Sequence, residues 1–230
     1  MWMKCARHFS GYFSPTMCLA DAVLYVDESL LVLDKPAGLL SVPGRGEDKQ
    51  DCLSTRAQRR YADALVVHRL DMATSGLMVM ARGATAQRNL NEAFARRAVT
   101  KRYIAIVDGY LAPPPAAWGV IDLPIVVDWP NRPRRIIDHQ FGKPSVTRWR
   151  VLSHNEPIGT TRVELEPVTG RSHQLRVHML ASGHAIVGDA LYASPSVQAG
   201  ADRLLLHACS LELCHPLTTQ AMRFVSTARF

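Results

Sequence analysis

The order of apolar and polar positions along the chain predicts more strands than helices. Short runs rich in β-branched residues predict strands over 23–26, 30–33, 65–67, 77–80, 102–107, 146–152, 161–165 and 204–213. Helical spacing predicts helices over 56–61, 84–98 and 172–181, the last capped by Ser172 and ended by Gly183. Because strands dominate and helices are separated, we expect an α+β fold. It would be a mixed, largely antiparallel sheet with flanking helices and a central cleft.

The chain shows neither an internal repeat nor a low-complexity linker. We therefore expect residues 23–230 to fold as one domain, and residues 1–22 to form a leader to which we assign no element. Charged residues interrupt each apolar stretch before the roughly 20 residues that a membrane helix needs. The start of the chain also lacks the pattern of a secretory signal. These features predict a cytoplasmic protein without a membrane span.

Charge changes this picture, because 27 Lys and Arg outnumber 20 Asp and Glu and give a formal net charge of +7. A basic surface favours an anionic partner, either nucleic acid or an acidic membrane. Five cysteines without a Cys-x-x-Cys pair argue against a disulfide framework or a zinc ribbon. His207, Cys209, Cys214 and His215 come closest to a metal cluster, but they follow a strand pattern that divides them between two faces. We expect no metal site.

Three segments concentrate polar side chains that could carry chemistry. The segment from His68 to Gly76 lies between two apolar strands, and such a loop exposes side chains from a rigid base. Its Asp71 is either a reactive carboxylate or a residue that merely stabilises the turn. A second segment, 169–178, leads into a helix with Arg171, His173 and Arg176 close together. A basic helix that only binds phosphate is the alternative there.

The third segment is a strand on which Lys101 and Tyr103 share one face. A lone strand tyrosine is more often part of the core than catalytic. Motifs for phosphate loops, dinucleotide binding, serine hydrolysis and zinc hydrolysis are missing from the sequence. ATP hydrolysis and hydride transfer therefore lose support.

Taken together, several motifs resemble the RluA family of pseudouridine synthases in order and spacing. They are Asp34-Lys35-Pro36-x-Gly38, His68-Arg69-Leu70-Asp71-x-x-Thr74-Ser75-Gly76, Lys101-x-Tyr103, Gly170-Arg171-x-His173-Gln174-Leu175-Arg176-x-His178, Gly188-Asp189-x-x-Tyr192 and Leu205-Leu206-His207-Ala208. The resemblance runs from about residue 23 to the C terminus, which would make 23–230 a pseudouridine synthase catalytic domain. Segments 39–45 and 128–133 resemble the family's dual-specificity branch. That branch acts on a tRNA anticodon loop and on 23S rRNA of the large subunit.

The resemblance implies that uridine is isomerised in structured RNA without a cofactor. It assigns Asp71 as the carboxylate beside the glycosidic bond, acting as a nucleophile or a base. Arg176 would form the ion pair with Asp71, with Arg171 as the fallback. Tyr103 would stack on the uracil, and its hydroxyl could assist proton removal from C5.

RNA binding is expected from a wider set of residues. A uridine must leave its stack to reach the carboxylate, and Arg69, two residues before Asp71, is a candidate to fill the vacated space. Phosphate contacts are expected from Lys101, Arg45, Arg132, Arg134 and Arg135, and further RNA contacts from Arg171 and His173.

Two alternatives from other classes remain open at this point. One is a non-catalytic RNA-binding protein or chaperone, and the other is a hydrolase that uses Asp71 with His68 or His173. For the partners we expect tRNA and large-subunit rRNA, a monomer, and no obligate protein partner. We also expect the catalytic domain to find its substrate without the additional N-terminal RNA-binding domain that some relatives carry.

Overall fold

The structure is a computed structural model, and it describes residues 19–230. These residues form twelve β-strands and five α-helices. The strands are β1 Val23–Val26, β2 Leu30–Lys35, β3 Ala64–Val66, β4 Ser75–Arg82, β5 Thr100–Asp108, β6 Gly119–Asp122, β7 Ile125–Val127, β8 Arg135–Ile137, β9 Val146–Asn155, β10 Thr160–Pro167, β11 Leu206–Cys214 and β12 Ala221–Val225. The helices are α1 Leu19–Ala22, α2 Leu53–Arg60, α3 Ala84–Ala95, α4 Gln174–Ala181 and α5 Pro195–Gln198.

Ten of the strands form a single sheet with the order β1-β2-β4-β11-β5-β10-β9-β6, with β3 added to β4 and β12 added to β11. All pairings in this sheet are antiparallel except the one between β4 and β11. Strands β7 and β8 form a separate two-stranded hairpin. The predicted α+β class, with a mixed and largely antiparallel sheet, is confirmed.

The parallel pairing of β4 with β11 is a seam between the two halves of the sheet. It consists of two residue pairs, His207 with Ser75 and Ala208 with Gly76. Gly76 has a φ of 109°, and a Cβ there would lie 2.3 Å from the carbonyl oxygen of Ala208. Only glycine permits this approach. The polar loop 68–74 enters β4 at this seam, so the close backbone contact fixes where the loop ends.

The core crosses the seam and joins both halves. Residues 30–33 of β2 are fully buried, and residues 75–81 of β4 are buried on both faces of the sheet. Helix α3 packs on β4 with Ala86 and Leu90 buried. One hydrophobic cluster extends from these strands to Leu213 at the other side of the seam. The loop before β4 therefore rests on a rigid base.

The predicted start of α4 was wrong. Ser172 is not the cap, because the helix begins at Gln174 and His173 occupies the cap position without a capping side-chain bond. The amide oxygen of Gln174 instead accepts the backbone N–H of Arg171 at 3.0 Å and the hydroxyl of Thr169 at 2.7 Å. The side chain of the first helical residue thus binds the segment before the helix, and α4 starts without the expected serine cap.

The predicted leader lies mostly outside the described residues, and its last four residues form α1. Among residues 19–230, no group of His, Cys, Asp and Glu is arranged to hold a metal ion. His207 bonds Ser75 and Ser226, whereas His215 bonds Asp27. Within the same residues, no helix has the length and apolarity needed to cross a membrane.

Candidate active site

The three predicted constellations meet in one cleft of about 560 Å³ at the seam. Loop 68–74, strand β5 and the start of α4 form its walls. The predicted site residues that line it are Arg69, Asp71, Lys101, Tyr103, Arg171, His173 and Arg176. The other predicted RNA-binding residues, Arg45, Arg132, Arg134 and Arg135, lie outside its lining.

The loop that carries Asp71 is held by hydrogen bonds from a buried lysine and a buried serine. The Oγ of Ser41 accepts the N–H of Leu70 at 3.0 Å and donates to the carbonyl of the same residue at 2.7 Å. The ammonium of Lys35 donates to three backbone carbonyls, those of Pro36 at 2.8 Å, Leu39 at 2.8 Å and Met72 at 3.0 Å. Asp71 is therefore held between two anchored neighbours, with 26% of its side chain exposed to the cleft.

Lys35 has a structural role that the sequence did not reveal. Burial lowers the pKa of Lys35 to about 7, and the nearby charge of Asp71 opposes this effect. Three carbonyl acceptors match the three N–H groups of an ammonium, so the site fits the charged form. Lys35 belongs to one of the motifs, so the sequence did mark it as a residue of interest. Its burial was not expected, because a lysine in a turn-rich segment is usually exposed.

Arg176 lies between two carboxylates. It is almost fully buried, and it donates from Nε to Asp189 Oδ2 at 2.8 Å and from Nη2 to Asp189 Oδ1 at 2.6 Å. Its remaining Nη1 lies 3.6 Å from Asp71 Oδ2. The predicted contact with Asp71 is thus present, but Asp189 is the stronger partner. The fallback residue Arg171 is exposed, and its Nε approaches the carbonyl of Pro144 at 3.4 Å.

Tyr103 is buried on β5 with its ring in the cleft wall, on the same side of the strand as Lys101. Burial raises the pKa of Tyr103, and the charge of Asp71 adds to the shift. The phenol therefore keeps its proton at neutral pH, which suits a stacking surface or a hydrogen-bond donor better than a base. Burial lowers the pKa of Lys101 as well.

Two histidines line the cleft in different environments. Burial lowers the pKa of His68 to about 3, with Lys101 adding to the shift, and its Nε2 accepts the N–H of Val79 at 2.9 Å. A ring with this role cannot serve as a base, so the hydrolase alternative loses one of its two histidines. His173 instead faces Asp71, with Nε2 at 4.0 Å from Oδ1.

The predicted arginine cluster lies on the β7–β8 hairpin. At its tip Trp129 is 65% exposed, and the guanidinium of Arg132 lies 4.5 Å from the centre of its ring. Where the turn enters β8, Arg134 lies over the ring of Tyr192, and the backbone N–H of Arg135 donates to the Tyr192 hydroxyl at 2.8 Å. The hairpin thus presents cations and one aromatic face to solvent, while the start of β8 contacts a residue next to the cleft.

Comparisons with known proteins agree with this fold. The family of RNA pseudouridylate synthases matches residues 29–181. The solved structure of human RNA pseudouridylate synthase domain containing 1 superposes with a TM-score of 0.74 and 28% identity, covering 94% of this chain and 86% of that one. The human domain containing 4 protein gives a TM-score of 0.71 and 27% identity, covering 91% and 89%. The fold is that of an RNA pseudouridine synthase.

Bacterial relatives define the group more narrowly. The dual-specificity RNA pseudouridine synthase RluA of Escherichia coli K12 is 50% identical over 208 residues, covering 90% of this chain and 93% of the relative. The enzyme of the same name from Yersinia pestis is 49% identical, covering 90% and 99%, and that of Haemophilus ducreyi is 45% identical, covering 90% and 93%. The chain belongs to the RluA family of RNA pseudouridine synthases.

Proposed function

We propose that this chain is a dual-specificity enzyme that converts uridine to pseudouridine in a tRNA anticodon loop and in 23S rRNA. Relatives that are 45–50% identical carry the name of dual-specificity synthases, which supports this substrate range. Segments 39–45 and 128–133, with the branch-like pattern, support it further. We propose that it acts in the cytoplasm as a monomer without a cofactor, and that residues 23–230 form its catalytic domain.

The observation that carries the catalytic assignment is the position of Asp71. Its carboxylate is the acidic group of an arginine-bordered cleft, and it is partly exposed on a clamped loop. The reaction breaks the bond between ribose C1′ and base N1, turns the uracil and rejoins it through C5. Asp71 would act at the sugar as a nucleophile or as a base, and Nη1 of Arg176 would hold it in position.

The other cleft residues would receive the target base. Tyr103 offers a ring on which the uracil can stack, and its protonated hydroxyl is a donor near the reacting base. A flipped uridine leaves a gap in its own stack, and flipping costs a few kcal/mol. Arg69, exposed at the rim of the cleft, is placed to fill that gap.

The remaining basic residues would hold the RNA backbone. Lys101 and Arg171 do so inside the cleft, while Arg45, Arg132, Arg134 and Arg135 extend the basic surface beyond it. This arrangement suits a folded RNA that contacts the protein on both sides of the flipped nucleotide.

The test is tritium release from RNA labelled at uracil C5, with a tRNA anticodon stem-loop and a 23S rRNA fragment as substrates. The wild type should release tritium from both RNAs, and Asp71→Asn from neither. Asp202→Asn is the matched control, because Asp202 is exposed and lies outside the cleft lining. Release from one RNA alone would contradict dual specificity. Activity that survives in Asp71→Asn would contradict the catalytic assignment.

A further inference from the structure

His173 has a backbone conformation that its place at the start of α4 does not explain. Its φ of 58° and ψ of 15° put it in the left-handed region, which is costly for a residue with a Cβ. Its side chain makes no capping hydrogen bond to the helix. Strained residues of this kind concentrate at functional sites. In this backbone conformation the side chain of His173 lines the cleft.

A chain of two hydrogen bonds fixes which nitrogen of His173 carries the hydrogen. The backbone N–H of Arg135 can only donate, and it lies 2.8 Å from the hydroxyl oxygen of Tyr192. Its other partner is Nδ1 of His173 at 2.7 Å. If the oxygen accepted from both partners, its own hydrogen would have no acceptor, so the favoured arrangement has the hydroxyl donate to Nδ1. Among residues 19–230 the Tyr192 hydroxyl has these two partners. Nδ1 is thus an acceptor, and the neutral ring carries its hydrogen on Nε2.

The charges around the ring favour this neutral form. Burial lowers the pKa of His173; Asp71 and Asp189 oppose the shift, and the guanidinium groups of Arg176 and Arg135 reinforce it. Nε2 lies 4.0 Å from Asp71 Oδ1, which is too long for a hydrogen bond. Among residues 19–230 this donor has no hydrogen-bond acceptor, and it lines the cleft beside Asp71.

We propose that His173 donates a hydrogen bond from Nε2 to an oxygen of the target uridine, and that Tyr192 is the positioning residue that fixes this tautomer. The acceptor is an oxygen beside the glycosidic bond, either a uracil carbonyl or a ribose hydroxyl. This inference rests on the proposed function, because it requires a uridine held over Asp71. Since Arg135 belongs to β8, the same bonds join the RNA-binding hairpin to the cleft.

Three substitutions of His173 separate a donor from a structural residue. His173→Phe keeps a ring but removes the donor, and it should lower the single-turnover rate roughly 100-fold. RNA affinity should fall far less, because many other contacts share it. His173→Gln places an amide N–H near the position of Nε2 and should restore part of the rate. His173→Gly suits the left-handed backbone, so it should melt at or above the wild-type temperature and still lose the rate.

Tyr192→Phe tests the positioning role, because it removes the hydroxyl and leaves the ring. It should slow the reaction, and the double variant with His173→Phe should be no slower than His173→Phe alone, as expected for groups that act through one contact. A rate for His173→Gly or His173→Phe equal to that of the wild type would overturn the donor role. Fully additive losses in the double variant would overturn the link through Tyr192.

The tautomer can be measured without any turnover. In protein labelled with ¹⁵N-histidine, the ring of His173 should show a protonated Nε2 and an unprotonated Nδ1 at neutral pH, and Tyr192→Phe should weaken this preference. A hydrogen on Nδ1 in the wild type would refute the inference even if the enzyme is active. A wild type that is inactive on both RNAs would instead refute the proposed function, and with it the contact to uridine, while the tautomer result would stand.

Discussion

The loop that carries Asp71 and the hairpin that carries Trp129 are built in opposite ways. The loop is held by hydrogen bonds from Lys35 and Ser41 and by the close backbone contact at Gly76, where it enters β4. The hairpin is held at the start of β8 by the bond from Arg135 to Tyr192, and Trp129 in its turn is exposed. The difference follows from their proposed tasks. A reacting carboxylate requires a fixed position, whereas a surface that fits two different RNAs gains from side chains that can adjust.

The charges differ in the same way. In the cleft, Arg176 is buried and both ends of its guanidinium face carboxylates, so its position is determined by the protein. On the hairpin, Arg132 packs on Trp129 and donates from Nε to the carbonyl of the same residue at 3.2 Å, while Arg134 packs on Tyr192. A guanidinium that lies on a ring still presents the N–H groups at its edge to phosphate. Changes in the first region should therefore affect folding and rate, and changes in the second should affect affinity.

The largest effect is expected at the seam. In Gly76→Ala the new Cβ would lie 2.3 Å from a backbone oxygen that cannot move away without breaking the β4–β11 pairing. We expect a loss of roughly 4 kcal/mol or more in the free energy of unfolding, because a backbone clash adds to the cost of the left-handed conformation. Urea unfolding measures it.

Gly159 provides the matched control for this substitution. It also has a positive φ, of 68°, but a Cβ there would meet nothing within 4 Å. Gly159→Ala should therefore lower the free energy of unfolding by about 1 kcal/mol, because alanine meets only the cost of the left-handed backbone conformation there. Equal losses at the two glycines would show that the close approach at the seam contributes nothing.

Replacement of Asp189 is expected to lower the free energy of unfolding by less and to slow turnover as well. In Asp189→Asn the buried Arg176 loses its bidentate partner, which costs roughly 3–5 kcal/mol when one member of a buried pair is removed. The guanidinium would then turn towards Asp71, so turnover should fall while RNA affinity is retained. Thermal unfolding and single-turnover tritium release measure the two effects.

The control for Asp189 is an exposed pair. Asp51 is 59% exposed and contacts Arg56 at 2.6 Å, so Asp51→Asn should change the free energy of unfolding by no more than about 1 kcal/mol. If Asp189→Asn behaved like Asp51→Asn, then the position of Arg176 would not depend on its bidentate contact.

The features that could be predicted from the sequence are those that depend on short segments of the chain. Strand patterns placed β2, β4 and β5 correctly, and the motifs brought Asp71, Tyr103 and Arg176 into one cleft. The predicted roles of these residues and of the RNA-binding arginines stay predictions. The strands of the small β7–β8 hairpin were not predicted, because three residues each are too few for a periodic pattern.

What the sequence did not reveal depends on contacts between distant segments. The parallel pairing of β4 with β11 joins residues that are more than a hundred positions apart. The three carbonyls around Lys35 and the carboxylate of Asp189 beside Arg176 appear only once the chain has folded. Asp189 and Tyr192 stood in a recognised motif, but a motif carries no information about which side chain meets which.

The smallest effect is expected on the hairpin. Arg132→Gln removes one proposed phosphate contact, so the slope of log affinity against log salt should flatten by about one unit, with folding and single-turnover rate unchanged. Filter binding of the anticodon stem-loop at several salt concentrations measures the slope. Arg223→Gln is the matched control, since Arg223 is exposed on β12 and paired with Glu212. The control should leave the slope unchanged. An unchanged slope for Arg132→Gln as well would mean that Arg132 does not contact phosphate and only packs on Trp129. The proposed role of the hairpin in RNA binding would then be wrong, whereas the proposed role of the Asp71 loop would not be affected.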